Sequence, residues 1–198
     1  MSVRVITCVG AAVAPYVDDL ARLRIEVFRD YPYLYEGDSA YERRYLEAYA
    51  ASPRSVFVLA LDGSSVVGAS TGIPLADDGE AFHQPFIEHG FAVDSVYYFG
   101  ESVLQPAYRG QGLGHRFFDE REAHAQRLDD FAMTAFCAVE RAHDDPRRPK
   151  DYHANDMFWR KRGYERQDTM FCTLNWTERG DSEQSAHRLR FWLRPLKV

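Results

Sequence analysis

Three glycines at alternating positions, Gly110, Gly112 and Gly114, stand in the run "RGQGLGH" (residues 109–115), between an apolar stretch and an amphipathic one. Glycine weakens an ordinary element interior through its conformational entropy. Three so close together indicate a tight loop where something approaches bare backbone. Before the loop, "SVYYFGESVLQ" reads as a strand, ended by Pro106, which cannot donate to a ladder. After it, Gly112 to Leu128 reads as a helix. Leu113, Phe117, Phe118, Ala125 and Leu128 share one side, with Asp119, Glu120, Arg121 and Glu122 largely on the other as a solvated face. A helix start presents unpaired N–H groups and the positive end of the macrodipole, so strand, loop and helix together make a phosphate cradle. His115 occupies the place of the third glycine of a dinucleotide fingerprint, and no Gly-Lys-Ser/Thr follows, so neither that motif nor a Walker loop is present.

The rest of the chain is built of alternating signals. Val3 to Val9 reads as a first strand. A helix opens at Pro15, with Val17, Leu20, Leu23, Arg24, Val27 and Phe28 at three- and four-residue steps. A second helix covers about residues 40–49. Two apolar runs around Asp62-Gly63-Ser64-Ser65 read as a hairpin. The polar stretch from Pro74 to Asp94 reads as a loop with at most one helical turn. "FAMTAFCAV" reads as a strand buried on both faces. "NDMFWRKRGY" reads as a short helix stopped by Gly163, and two last strands follow.

At 198 residues the chain fits one domain over 1–198. A net charge of −6 implies no basic face, which argues against nucleic acid as a partner. No run reaches the roughly 18 apolar residues of a membrane span. Three separated cysteines, Cys8, Cys137 and Cys172, form neither a disulfide framework nor a zinc motif, and suggest a reduced, cytoplasmic setting. His83 and His89 lie six residues apart in an irregular segment, so no metal is expected.

Arg109-x-x-Gly112-x-Gly114, with its flanking strand and helix, resembles the pyrophosphate-binding motif of the GNAT superfamily, the Gcn5-related acyl-CoA-dependent acyltransferases. The run "FWRKRGY" (158–164) is similar to that family's last-helix motif, and the likeness in element order extends from Val3 to Leu196. The resemblance implies an α/β fold, a central mixed β-sheet flanked by helices. It implies acetyl-CoA as acyl donor, no metal, and a small-molecule or peptide amine as acceptor. The protein would be a monomer or a homodimer.

Residue by residue, the resemblance implies that backbone at Val103 and Leu104 pairs with pantetheine. Arg109, Gly110, Gln111, Gly112, Leu113, Gly114 and His115 would hold the pyrophosphate. Asn155 and Phe158 would meet the distal arm of CoA, with an N-cap as the alternative role for Asn155. Tyr33 and Tyr35 would line the acceptor site. Glu101 would bind or deprotonate the amine, and strand alternation puts it on one face with Phe99 and Val103, unless a bulge intervenes. Many members carry a tyrosine where Trp159 stands, as proton donor to the leaving thiolate. An indole is no usable acid, so either the thiolate leaves unaided, as its thiol pKa near 8.5 allows, or Tyr98, Tyr152 or Tyr164 donates. The rival reading is a CoA-binding regulatory domain without turnover.

Overall fold

In a computed structural model that describes residues 3–196, eight strands form one mixed sheet. In chain order the elements are β1 (Arg4–Val9), α1 (Val17–Phe28), α2 (Ser39–Ala51), β2 (Val56–Asp62), β3 (Ser65–Pro74) and α3 (Glu80–Glu88). Then come β4 (Val96–Tyr98), β5 (Ser102–Leu104), α4 (Leu113–Leu128), β6 (Met133–Val139), α5 (Asp156–Lys161), β7 (Glu165–Thr177) and β8 (Gln184–Pro195). The sheet order is β1-β2-β3-β4-β6-β8-β7, with β5 paired to β3 alone. Only β4 and β6 run parallel; every other pairing is antiparallel.

Both faces of the sheet are covered, which is why "VFVLAL" in β2 is apolar without alternation. Phe57, Leu59 and Leu61 pack with Leu20 and Leu23 of α1, Leu46 of α2 and Phe86 of α3. Val56, Val58 and Ala60 face the opposite layer, with Leu113, Phe117 and Phe118 of α4 and Phe158 of α5. Among the described residues no helix is long and apolar enough to cross a membrane.

Two expectations fail here. The segment between Pro74 and Asp94 contains α3, a nine-residue helix, rather than a loop. Its polar composition and internal Pro85 conceal it. Phe86, fully buried against Phe191 with ring centroids 5.1 Å apart, fixes it to the sheet, so tertiary packing overrides weak local propensity. The single strand expected from Val96 to Leu104 is two strands, β4 and β5, and the break between them shapes the functional site.

Candidate functional site

The break is a β-bulge. Tyr98 lies opposite Ile73, but Ser102 lies opposite Ser70, so one extra residue enters between them. Both Gly100 and Glu101 oppose Thr71: the Gly100 N–H donates to the Thr71 carbonyl (3.2 Å), and the Thr71 N–H donates to the Glu101 carbonyl (3.1 Å). The extra residue reverses side-chain facing. Glu101 therefore joins Tyr98 and Val103 on the α1–α2 side, while Phe99 points to α4. This corrects the alternation that grouped Glu101 with Phe99. Gly100 is required by space, since a Cβ there would lie 2.6 Å from Thr71 Oγ1 and 2.8 Å from the Tyr49 hydroxyl oxygen.

Past the bulge the chain stays with β3 and leaves β6. Thr71 N–H to Glu101 O and Gln105 N–H to Val67 O turn the odd-numbered backbone groups toward β3. By antiparallel alternation, Ser102 and Leu104 turn theirs into the gap. Val103 pairs with Ala69 instead, so its backbone does not face the gap as expected.

Arg121 of α4 spans the bulge. Its Nη1 donates to the carbonyls of Thr71 (3.2 Å) and Glu101 (3.1 Å), and its Nη2 to Ser102 Oγ (2.9 Å). Its guanidinium lies over the rings of Phe99 and Phe118. The residue is 1% exposed, so it is not on a solvated face as its charged neighbours suggest. Burial brings its pKa down to about 10, which leaves it charged at neutral pH. No carboxylate among the described residues forms an ion pair with it. The junction thus has a fixed positive charge.

Gly110 (φ 75°) and Gly112 (φ 80°) hold the left-handed backbone that turns the loop into α4. A Cβ at either position would meet nothing within 4 Å, so their surface is open. Among the described residues no backbone carbonyl takes the N–H groups of Gly110 to His115. The Arg109 N–H is used by Pro106 O (3.1 Å), and its Nε holds Leu104 O (3.1 Å), so Arg109 ties the loop to the end of β5. The Gln111 side chain donates to Ala107 O. His115 packs edge-on against Phe158 and meets Arg162 at 3.2 Å. Asn155 makes no side-chain cap to α5, so the capping role is not taken up.

A cleft of ≈ 1240 Å³ joins these parts, from Arg109, Gly114, Asn155 and Phe158 to Gly100 and Glu101. A second cavity of ≈ 510 Å³ lies on the α1–α2 side, lined by Tyr33, Tyr35, Tyr45 and Asp78 among others. The two share Phe28, Tyr33, Gly100, Glu101 and Cys137, so they meet along a seam that runs from the end of α1 to the bulge.

Glu101 is 8% exposed at that junction. Its Oε2 accepts from the Tyr45 hydroxyl (3.2 Å) and lies 2.7 Å from Arg24 Nη1, an ion pair without hydrogen-bond geometry. Arg24 also bonds Glu42 and stacks on Tyr45. Its own pKa is governed first by burial, which lowers it; Glu101 and Glu42 outweigh that, so it stays charged. The Tyr98 hydroxyl sits 3.0 Å from Cys137 Sγ, and burial raises its pKa well above that of an ordinary tyrosine. Tyr164 is not brought to the junction: its hydroxyl is buried with Thr134 (2.9 Å) and Glu122 (3.2 Å), outside both cavities. Tyr152 lines the cleft edge-on to Tyr31.

Arg24, Tyr45, Tyr49, Asp78 and Arg121 were not foreseen. Only Arg24 left a signal, as a charge inside the apolar periodicity of α1.

The profile of the Acetyltransferase (GNAT) family matches residues 20–148. The chain belongs to that family. The GNAT fold also accounts for the structural likenesses. An acetyltransferase of the GNAT family from Staphylococcus aureus Mu50 is 14% identical, with 99% of this chain and 100% of that chain covered and a TM-score of 0.61. The Salmonella typhimurium protein yncA, solved with its cofactor acetyl-CoA, is 12% identical over 100% and 96%, TM-score 0.60. A phosphinothricin acetyltransferase from Sinorhizobium meliloti, in complex with AcCoA, is 16% identical over 99% and 89%, TM-score 0.58. At such identities the likeness is one of fold. No curated protein matches the sequence.

Proposed function

We propose that this GNAT protein transfers an acetyl group from acetyl-CoA directly to a primary amine, within a ternary complex. The observation that carries the reading is the bulge at Gly100–Glu101, where the cleft that reaches Arg109 and Gly114 meets the second cavity. The open N–H groups of residues 110–115 suit a pyrophosphate. The gap-facing backbone of Ser102 and Leu104 suits the amides of a pantetheine arm, much as an added strand would pair. That arm would lead the thioester to the junction, and the second cavity would deliver the amine.

The amine arrives as an ammonium, with a pKa near 10.4 for a lysine-like group, and must lose a proton before it attacks. Glu101, buried where the two cavities meet, is our choice of base for that proton, directly or through one water. The C–N bond then forms through a tetrahedral oxyanion. The sequence points to an N–H near Leu104 as donor to that oxyanion; the gap-facing N–H of Ser102, at the junction end of β5, suits the role better. As the C–S bond breaks, CoA leaves as a thiolate, whose thiol pKa near 8.5 makes it a tolerable leaving group. Arg121 places positive charge on that side of the junction. Tyr98 resists ionisation, which makes it a poor acid; it contributes a wall rather than a proton.

Release of free CoA thiol, followed in wild type and Glu101→Gln with a panel of amines, tests the reading. Turnover in the wild type, lost in the variant while acetyl-CoA still binds, supports it. Acetyl-CoA binding without turnover on any amine favours the regulatory alternative, which Trp159 in the tyrosine position keeps in view.

A further inference from the structure

The second cavity has a composition that amine transfer in general does not require. Its walls are aromatic: Phe28 and Tyr33 (ring centroids 4.5 Å apart) continue to Trp176 on one side, and Phe82 and Tyr98 (5.1 Å) form another. A volume of ≈ 510 Å³ suits a small molecule rather than a folded partner. Five carboxylates line it, Glu36, Asp38, Glu42, Asp78 and Glu101, against one cation, Arg24.

Three of the five have a cationic partner, and the fourth, Asp38, is exposed and spent on a helix cap. Arg24 pairs with Glu42 and Glu101, Arg29 pairs with Glu36, and Asp38 caps α2 through the Tyr41 N–H. Asp78 has no ion-pair partner among the described residues. Its Oδ2 accepts from the Tyr49 hydroxyl (2.7 Å) and its Oδ1 from the Gly79 N–H (2.7 Å). Burial raises its pKa despite those bonds, the cost of a charge without a counter-charge. The titratable groups near it include Tyr45 and Tyr49 of α2, His83 of α3, Tyr98 of β4, Glu101 of the bulge and Cys137 of β6.

Asp78 and Glu101 are both bonded to α2, at successive turns. Tyr45 and Tyr49 are four residues apart, their ring centroids 4.8 Å apart and tilted, and each gives its hydroxyl to one of the two carboxylates. An ammonium placed between them would supply the charge that Asp78 lacks. Its carbon skeleton would then lie along the aromatic walls, where cation–π contact adds to burial.

Resting on the acyl-transfer reading, we propose that the acceptor is a small cationic amine with an aromatic or branched apolar body, an aralkylamine, bound by its ammonium at Asp78 beside Glu101. A free amino acid is disfavoured, because its carboxylate would face five others. A polyamine is disfavoured, because its further charges would be desolvated against Leu174 and Leu189.

The test uses the full chain with acetyl-CoA and four acceptors: 2-phenylethylamine, spermidine, glutamate and a lysine peptide. Free thiol gives kcat/KM, and calorimetry gives acetyl-CoA affinity. The expected result is that 2-phenylethylamine leads by roughly tenfold or more. Asp78→Asn should raise its KM by about 10- to 100-fold, the range for a hydrogen bond to a charged group, and leave acetyl-CoA affinity within about twofold. Equal or better use of glutamate, spermidine or the peptide overturns the proposal, and needs no variant to fold. An unchanged amine KM in Asp78→Asn overturns it too. Normal acetyl-CoA binding with no turnover on 2-phenylethylamine overturns the acceptor class alone. Absence of acetyl-CoA binding overturns the acyl-transfer reading, and this proposal with it.

Discussion

Arg121 donates from α4 to the main-chain carbonyl of Glu101, Nη1 to O at 3.1 Å. The same nitrogen holds Thr71 O, so one guanidinium fastens both strands of the bulge. Arg121→Met would remove three hydrogen bonds from a charged donor, although the two carbonyls keep their backbone partners, and should lower stability by about 2–4 kcal/mol, measured by thermal or denaturant unfolding. Arg121→Lys keeps the charge but not the planar fork. It should recover part of the stability while kcat stays reduced. Recovery of full kcat in the lysine variant would show that charge alone matters.

Gly100→Ala should damage stability and turnover together. The added Cβ meets Thr71 Oγ1 and a Tyr49 hydroxyl already held by Asp78, so neither neighbour yields freely. A loss of about 1–3 kcal/mol is expected from overpacking. Because Glu101 is the next residue, kcat should fall as well. A stable, fully active variant would refute the close packing of the bulge.

Tyr164→Phe separates a structural tyrosine from a proton donor. Its hydroxyl bonds Thr134 and Glu122 in the layer under α4. Removal should cost about 0.5–1.5 kcal/mol of stability, with kcat and its pH profile unchanged. A change in the basic limb of that profile would return Tyr164 to the mechanism.

Glu140 should carry part of the acid sensitivity. Hydrogen bonding from Arg190, foremost, and the charges of Arg190, Arg166 and Arg188 hold its carboxyl below the ordinary glutamate range. A depressed folded pKa contributes stability that is present above the unfolded value, about 4.3. That contribution is lost as pH falls through the lower folded value. Melting temperature followed from about pH 6 to about pH 3 should therefore drop less steeply in Glu140→Gln than in wild type.

Much of the fold was legible because it rests on periodicity. The doubly buried "VFVLAL", the amphipathic α4 and the glycine loop each announce themselves locally. The bulge does not. It is one residue of register between Tyr98 and Ser102, visible only once β3 is paired. That single residue moves Glu101 across the sheet. Arg121 was misplaced because it sits in "DERE", where three neighbours are acidic, and only tertiary contacts turn it inward. Asp78 lies in a polar stretch, and its lack of a cation is a property of the assembled cavity.

The central claim is that bare backbone at Gly110–His115 receives the acyl donor. Calorimetric titration with acetyl-CoA tests it most directly, in wild type, Gly112→Trp and Gly63→Trp. Gly63 shares a positive φ (62°) and open surroundings but sits on the β2–β3 hairpin, so it controls for backbone strain. Wild type and Gly63→Trp should bind, with roughly tenfold or greater weakening in Gly112→Trp, about 1.4 kcal/mol. Unchanged affinity in Gly112→Trp, or no binding by the wild type, would contradict it.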